Sequence, residues 1–398
     1  MSSIFTHITF LSATVFFLIS GSLQASILKV QSDYLTSVDP TKFTFNAALY
    51  NYQLSCTSTS VYAIIYPQAA SGSSTLRVRN LKTGTDVNTT YSGSIRALTT
   101  DSTGQIAYLT TGATNNFKHY SYSTTHDFDP STTVYQIYDS SDGFGLIWNV
   151  DDGTTVSLYT NIYKKADGTK LWATDLLLAS FTHNSQLSIQ GADAVYYSTN
   201  TSLIFAWDVV VNDPTEASNY EGVLGIYVAA VSVADWSAPG TVTSWLAVTP
   251  DTTSSVLTLR RVKLTTNSFA VIGLSTAVEA WLGVTSTKLT GIMSGVSDTV
   301  TFTYTRFTFD GLPAAKYITE FGVGTTIVSV FGWNYNADNT LYYAASVDES
   351  GAAVVEDQLL GENIGVWGAC GTETSVYALV SGNDLVTGDP FAYLAQLW

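Results

Sequence analysis

The sequence predicts an all-β fold, a β-propeller built from repeated four-stranded blades. Three observations predict it: strand-forming residues dominate the composition, short hairpins recur along the chain, and two cysteines stand in matching positions near opposite ends. Aromatic residues make up 13% of the 398 residues, and charged residues make up only 12%. β-branched and aromatic side chains suit the half-buried surface of a sheet, whereas periodic helical runs are nearly absent.

The hairpins give the number of blades. Each consists of a short apolar strand, a tight polar turn and a second strand. Eight such hairpins begin at Leu54, Arg96, Gly145, Leu187, Tyr227, Trp281, Ile327 and Gly368. Their average spacing is about 45 residues, and about two more strands lie between one hairpin and the next. Eight four-stranded blades are therefore expected, with seven as the alternative.

The two cysteines indicate how the propeller closes. Cys56 precedes the sequence Val-Tyr-Ala at residues 61–63, and Cys370 precedes the same sequence at residues 376–378. Equivalent strands at opposite ends of the chain are neighbours only if the chain forms a ring. We therefore expect a Cys56–Cys370 disulfide across the seam; two unconnected buried thiols are the alternative.

The last repeat predicts a second closing element. It ends one strand short, because only Phe391–Trp398 follows the final hairpin. The segment Ile27–Gln31 is expected to supply the missing outer strand, since an open strand edge is a liability that closed folds avoid.

The first 25 residues match a secretory signal peptide. Ile8–Ile19 is apolar, and a small polar stretch leads to cleavage after Ala25. A membrane anchor is the alternative, although the apolar run is short for a span. Residues 26–398 are then a single secreted, extracellular propeller domain with no membrane span. Secretion makes the sequons at Asn88 and Asn200 expected glycosylation sites.

The charge of the chain excludes one class of partner. A net charge of −16 arises from 32 acidic and 16 basic residues, with no local Lys/Arg cluster. The protein therefore repels nucleic acid and anionic lipid surfaces.

A few segments resemble a known repeat. Tyr163–Trp172 contains an Asp-Gly-Thr turn before a tryptophan, and Asn80–Gly84 is a looser copy. These segments resemble the repeats of quinoprotein-like (PQQ-type) propellers, with degenerate echoes at Asp310-Gly311 and Glu349–Gly351. The resemblance implies a multi-bladed propeller. The enzymes of that family use adjacent cysteines, which this chain lacks, so their redox activity is not expected here.

No compact catalytic motif is present. The sequence has no Gly-x-Ser-x-Gly elbow, His-Glu-x-x-His, P-loop or dinucleotide fingerprint, so neither a cofactor nor a metal is expected. His119 and His126 are expected to be solvated residues of outer strands. Three acidic pairs are expected at turns or strand ends: Asp151-Asp152, Asp348-Glu349 and Glu356-Asp357. Calcium binding or glycosidase chemistry is the alternative role of these pairs.

The tryptophans are the candidate binding residues. Four of them are expected on first strands near the central channel: Trp148, Trp281, Trp333 and Trp367. Trp236 is expected in a hairpin loop. Packing between blades is the common role of such rings, and stacking on a sugar is the functional one. The candidate ligand-binding residues are Trp236, Trp148, Trp333 and Trp367.

Three functions follow from this sequence. The preferred one is a secreted, non-catalytic binding module for a glycan or an extracellular protein, because propellers display variable loops on a rigid ring. The second is a self-assembling structural subunit of an extracellular coat, matrix or filament. The third is an extracellular polysaccharide hydrolase or lyase whose residues come from several blades.

Overall fold

A computed structural model describes residues 28–30 and 50–397, apart from residues 58, 68–72, 82, 102, 112–114, 120–121, 127–131, 183–185, 198–200, 250–256, 265–267, 276–279, 287–302, 308–315, 324–326, 337–338, 349–352, 363, 373–374 and 384–389. The expected signal segment, residues 1–25, and the His183 side chain lie outside the described residues. The described part is almost entirely strand, arranged in antiparallel sheets.

The strands have the following bounds. The N-terminal strand is β1 (Leu28–Val30). The first sheet contains β2 (Tyr50–Cys56), β3 (Val61–Pro67), β4 (Ser73–Asn80) and β5 (Asp86–Ser92). The second contains β6 (Ser94–Thr100), β7 (Ile106–Thr111), β8 (Asn115–His119) and β9 (Tyr122–His126). The third contains β10 (Thr133–Asp139), β11 (Gly143–Asp151), β12 (Thr155–Lys164) and β13 (Leu176–Thr182).

The second half continues in the same way. The fourth sheet contains β14 (Leu187–Ser188), β15 (Ala192–Tyr197), β16 (Ser202–Val211), β17 (Gly225–Ser232) and β18 (Thr243–Val248). The fifth contains β19 (Leu257–Leu264), β20 (Ser268–Ser275), β21 (Ala280–Ser286) and β22 (Thr303–Phe307). The sixth contains β23 (Lys316–Val323), β24 (Ile327–Asn336), β25 (Asn339–Asp348) and β26 (Ala353–Glu362). The seventh contains β27 (Ile364–Gly371), β28 (Val376–Asn383) and β29 (Pro390–Leu397). A 3₁₀ helix, Pro214–Tyr220, follows β16.

The described strands form seven sheets, one fewer than the eight blades expected first and equal to the alternative. The expected hairpin at Leu187 explains the difference. β14 and β15 do not pair with each other. Both of them pair antiparallel with β16. They are two pieces of one first strand, interrupted at residues 189–191, and they share a sheet with the hairpin of β17 and β18.

The recurring hairpins also occupy different positions within their sheets. The hairpins at Cys56 and Cys370 join first and second strands, as expected, whereas β11 and β12 are the second and third strands of the third sheet. Similarly, β17 and β18 are the last two strands of the fourth sheet. A tight polar turn is chemically the same at each position, so the turn pattern alone cannot number the strands.

The first strands of adjacent sheets contact one another. Each first strand contacts the first strand of the next sheet, in the order β2, β6, β10, β15, β19, β23 and β27, and β27 contacts β2. The core is divided among these sheet interfaces. The largest cluster of buried side chains spans the third and fourth sheets, and includes Ile162, Trp172, Phe205 and Trp207.

The two ends of the chain meet at the junction of the first and seventh sheets. β1 pairs antiparallel with β29, with Lys29 opposite Ala395. Cys56 and Cys370 form a disulfide with a Cα–Cα distance of 5.6 Å. Leu379 and Leu394 of the seventh sheet pack in one apolar cluster with residues of the first sheet. The expected outer strand and the expected cysteine pairing are therefore both present.

Candidate functional site

The four strand tryptophans do not share one position in the fold. Only Trp367 lies on a first strand, β27. Trp148 and Trp333 lie on second strands, and Trp281 on a third strand, so the expectation that all four lie on first strands near the channel is wrong. It failed because it assumed that every apolar hairpin begins on a first strand.

The described tryptophan rings of this group make structural contacts. Trp148 is 4% exposed and stacks on Tyr159, with ring centroids 6.2 Å apart. Trp367 is half-buried, and its indole N–H donates to the Ser381 hydroxyl at 2.6 Å. The side chains of Trp333 and Trp281 lie outside the described residues. The Trp148 ring and the Trp367 indole N–H are therefore already in contact with other residues of the protein.

Trp236 occupies a different environment. It lies in the loop between β17 and β18 and is half-buried. Its ring centroid lies 5.4 Å from that of Tyr196, at an interplanar angle of 52°. The preceding Asp235 carboxylate accepts from the Ser237 amide at 2.9 Å and from its hydroxyl at 2.7 Å. The backbone under the ring is thus held by a hydrogen-bonded turn.

The third sheet fixes the Trp236 loop from the other side. The Trp172 indole N–H donates to the Trp236 carbonyl at 3.0 Å. Trp172 is itself buried, just after the short hairpin in which Tyr163 pairs with Lys170. The fully buried Asn161 side chain holds this hairpin, because it donates to the Trp172 carbonyl at 3.1 Å and accepts from the Trp172 amide at 3.3 Å.

Two charged side chains, Asp175 and Lys170, are connected to Trp172 through Asn161. The Asn161 amide also donates to the Asp175 carboxylate at 2.7 Å. The same carboxylate oxygen accepts from the Lys170 ammonium at 2.7 Å, and both charged side chains are exposed. We call Trp236, Tyr196, Lys170 and Asp175, which are connected through the buried Trp172 and Asn161, the rim patch. It combines a half-exposed aromatic pair with an ammonium group and a carboxylate, which suits binding of a polar ligand that has an apolar face.

Aspartates at turns have a recurring use that the sequence interpretation missed. In five Asp-x-Thr/Ser turns of the described residues, one carboxylate oxygen accepts from both the amide and the hydroxyl of the residue two positions later. These turns begin at Asp101, Asp152, Asp167, Asp213 and Asp235. The repeated Asp-x-Thr/Ser pattern was the available signal.

These hydrogen bonds account for the acidic pair at Asp151-Asp152. The Asp151 carboxylate accepts from the Gly153 amide at 2.9 Å, and Asp152 accepts from the amides of Thr154 and Thr155. The side chains of the other two acidic pairs, Asp348-Glu349 and Glu356-Asp357, lie outside the described residues. The pair at Asp151-Asp152 therefore stabilises the turn between β11 and β12.

The turn hydrogen bonds also keep carboxylates ionised. Bonds from the amide and hydroxyl of Thr169 lower the pKa of Asp167. Bonds from the hydroxyl and amide of Thr215 lower the pKa of Asp213, and bonds from the hydroxyl and amide of Ser237 lower the pKa of Asp235. A general acid needs the opposite shift, so these three carboxylates are suited to accepting hydrogen bonds and not to donating a proton.

A buried histidine is the clearest departure from the sequence prediction. His119 was expected to be solvated, yet it is 8% exposed on β8. Its Nε2 lies 3.8 Å from the Asp101 carboxylate, and its ring centroid lies 4.8 Å from that of Phe144 in the third sheet. β8 is the third strand of the second sheet, and the imidazole is covered because it packs against Phe144 of the third sheet. The His126 side chain lies outside the described residues.

Asp101 is held as an anion at this interface. Its burial would raise its pKa, but the nearby His119 side chain and the hydrogen bonds from Thr103 and the Gln105 amide outweigh burial and lower the pKa well below its usual value. The Gln105 amide lies 3.0 Å from the carboxylate. Asp101 therefore ties the turn between β6 and β7 to β8.

A second buried carboxylate connects the fourth and fifth sheets. Asp208 is 0% exposed, in the otherwise apolar strand β16. It accepts from the amides of Gln190 and Gly191 in the interrupted first strand, and from the Leu259 amide of β19 at 2.8 Å. Burial and the charge of Asp208 raise the pKa of Tyr135, whose hydroxyl donates to the Ile189 carbonyl. A lone aspartate within an apolar run was the signal for this link.

Other predicted sites have mixed outcomes. Asn88 is exposed on β5, whereas Asn200 lies outside the described residues. Among the side chains that the structure describes, no group of three or more His, Cys, Asp or Glu is placed to hold a metal ion. Within the same described ranges, no helix has the length and apolarity needed to span a membrane.

Comparison with known proteins gives the fold. No protein-family model matches the sequence, and no curated protein matches it. The chain is similar to a solved oligogalacturonate lyase in complex with manganese, with a TM-score of 0.50 and 9% identity over 88% of this chain and 90% of that one. It is also similar to a prolyl endopeptidase, with a TM-score of 0.50 and 12% identity over 87% of this chain and 49% of that one.

A third solved structure is the Cps50 (Swd1) β-propeller domain of Myceliophteria thermophila, at 9% identity and a TM-score of 0.49 over 88% of this chain and 99% of that one. This chain spans about half of the prolyl endopeptidase and nearly all of the other two. These neighbours are β-propeller proteins. At such low identity a likeness shows the fold alone, and the likeness to the lyase and the endopeptidase, together with the antiparallel sheets, defines this protein as a β-propeller.

Proposed function

We propose that this protein is a secreted, non-catalytic β-propeller that binds a glycan through the rim patch. The observation that carries the proposal is Trp236. Its half-exposed ring lies in a loop held by the Asp235 turn and by the hydrogen bond from Trp172. A rigid aromatic anchor beside charged groups pays little ordering entropy on binding, and a pyranose ring offers an apolar face to stack on it.

Secretion is supported by two features. Cys56 and Cys370 are paired, and such pairs persist in oxidising compartments. The apolar segment before Ala25 has the length of a signal peptide and is shorter than a membrane span. We propose that the disulfide and the pairing of β1 with β29 close a ring of seven blades at its seam, which gives the rim patch a rigid support.

Binding is preferred to catalysis because of how the carboxylates are used. The turn aspartates accept hydrogen bonds that lower their pKa, which favours permanent anions over general acids. In the rim patch, Asp175 is engaged by Asn161 and Lys170. This pairing suits a fixed polar contact to a hydroxyl-rich ligand.

The test is a glycan array probed with the mature protein and two variants. Trp236→Ala removes the ring but keeps the carbonyl that accepts from Trp172, so binding is expected to fall about tenfold, the effect of about 1.4 kcal/mol. Trp236→Phe is the matched control, because it keeps an aromatic face, and it is expected to retain most of the binding. Unfolding of both variants is followed in parallel, to separate lost binding from lost structure.

Three outcomes contradict this function. If no glycan binds and an extracellular protein is captured whose binding ignores Trp236, the partner class is wrong. If sedimentation shows polymers that grow with concentration and no glycan binds, a structural subunit replaces the binding module. If the protein turns over a polysaccharide, and Asp152→Asn abolishes turnover, the protein is an enzyme.

A further inference from the structure

The outer edge of the first sheet, strand β5, is exposed and lacks the residues that usually protect a sheet edge. β5 is the last strand of its sheet and, within the part of the chain that the structure describes, pairs only with β4. Its Val87 side chain is 54% exposed, more than the other exposed large apolar side chains of the described residues. Neither lysine nor proline occurs in its sequence, Asp-Val-Asn-Thr-Thr-Tyr-Ser. Natural edge strands use such residues to prevent pairing with another chain.

The one charge on β5 is already engaged. Asp86 receives two hydrogen bonds from the buried Arg79 guanidinium, at 3.1 and 3.2 Å. This pair fixes the start of β5 against β4. Consequently, the charge that could repel a second edge is partly neutralised by a buried partner.

The centre of the same edge carries an asparagine in a glycosylation sequon. Asn88 is exposed, Thr89 is half-buried and Thr90 is exposed, so the asparagine and the threonine hydroxyl project from the same side of the strand. The Tyr108 hydroxyl of the second sheet donates to the Thr90 backbone carbonyl and is also hydrogen-bonded to the Thr89 side chain, and neither contact uses the side chain of Asn88 or of Thr90. A bulky group on Asn88 can therefore project into solvent with the strand in place.

We propose that Asn88 carries an N-linked glycan whose role is to shield the β5 edge from pairing with a second copy of the chain. This inference rests on the secretory route proposed above, and not on the rim patch. The donor is an oligosaccharide linked to a lipid pyrophosphate. The Asn88 amide nitrogen forms a bond to the anomeric carbon of the donor, the bond from that carbon to the pyrophosphate oxygen breaks, the lipid pyrophosphate leaves, and the transferase removes one amide proton.

The first experiment measures occupancy. The full chain is expressed through a eukaryotic secretory pathway, and the peptide containing residue 88 is analysed by mass spectrometry. The glycan mass is expected in the parent and in Thr90→Ser, which preserves the sequon. It is expected to disappear in Thr90→Ala, which leaves the asparagine unchanged. A secreted parent protein that is unmodified at Asn88 would overturn the proposal while leaving the binding function intact.

The second experiment measures shielding by sedimentation velocity. The glycosylated parent is expected to sediment as one species at all concentrations. Thr90→Ala is expected to shift to larger species as concentration rises, whereas Thr90→Ser is not. Adding Val87→Lys to Thr90→Ala places a charge on the edge, and should restore the slower species. If Thr90→Ala remains monomeric and folded, the glycan does not shield this edge.

Discussion

At the scale of single residues, aspartate serves this fold mainly as a hydrogen-bond acceptor. Within the part of the chain that the structure describes, five turns share the same arrangement, in which one carboxylate oxygen accepts from the amide and the hydroxyl of a Thr or Ser two residues later. Asp208 performs a similar task inside the protein, between the fourth and fifth sheets. Part of the net charge of −16 is therefore a consequence of how the turns are built, and it needs no cationic partner.

Asp101 gives a pH-dependent prediction. Asp101→Asn removes a buried anion that accepts from Thr103 and Gln105 and lies 3.8 Å from His119, and is expected to cost on the order of 1–3 kcal/mol at neutral pH. The folded-state pKa lies below the unfolded value of about 3.9. The stabilisation is therefore present above that pH and is lost as the pH falls through the folded pKa. The difference in unfolding free energy between parent and variant should narrow below about pH 4, as measured by urea denaturation.

The control for this prediction is Asp167→Asn. Asp167 makes the same amide and hydroxyl bonds to Thr169, but it is exposed to solvent. Its replacement is expected to cost less than the Asp101 change. Equal losses for the two variants, or a loss at Asp101 that does not change with pH, would show that the buried contact with His119 contributes nothing.

Gly368 gives a second prediction at this scale. It lies on β27, where a β-carbon would stand 2.8 Å from the Leu54 backbone nitrogen of β2. The neighbour is backbone and cannot rotate away, so Gly368→Ala must push the first and seventh sheets apart. We expect a loss of about 1–3 kcal/mol in unfolding free energy. A thermal midpoint equal to that of the parent would mean that β2 and β27 do not approach this closely.

At the scale of strands and sheets, the sequence predicted which strands and turns form, but not always the sheet to which a strand belongs or its position within that sheet. The second hairpin strands at Val61 and Val376 were predictable, because apolar runs bounded by polar turns define them. The interruption at residues 189–191 was not, since its polar turn looks like that of a hairpin. It is held by contacts distant in sequence, from Asp208 and Tyr135, which no local pattern encodes.

The N-terminal strand gives the prediction at this scale. Deleting Leu28–Val30 leaves the outer edge of β29 unpaired and removes a three-residue ladder. We expect a loss of about 1–3 kcal/mol in unfolding free energy, on the scale of a few hydrogen bonds. Replacing the same three residues with alanine is the matched control, because it keeps the backbone pairing. The deletion should lower the thermal midpoint more than the alanine variant does.

Two outcomes would count against this role of β1. A deletion variant as stable as the parent would mean that β29 does not need the partner. An alanine variant as unstable as the deletion would mean that side chains, and not the backbone ladder, hold the N-terminus in place.

At the scale of the whole molecule, the seam was the feature best predicted from sequence. The matching frames around Cys56 and Cys370 placed both on equivalent strands, and the incomplete last repeat required a strand from the N-terminus. The rim patch could be predicted only in part. Trp236 stood out as a loop tryptophan, but its contact with Tyr196 of the same sheet and its connection to Lys170 and Asp175 through Trp172 and Asn161 of the third sheet did not. Such a grouping depends on how the sheets are placed in space.

The most direct test of the account is the state of the two cysteines in the native protein. The disulfide spans a sequence separation of 314 residues, for which the chain-entropy model gives about 5–6 kcal/mol of stabilisation. Alkylation followed by non-reducing peptide mapping should recover the Cys56 and Cys370 peptides joined to each other, and reduction should markedly lower the thermal midpoint. Recovery of both cysteines as alkylated free thiols, with a midpoint unchanged by reduction, would contradict the claim that the chain ends are joined across the seam.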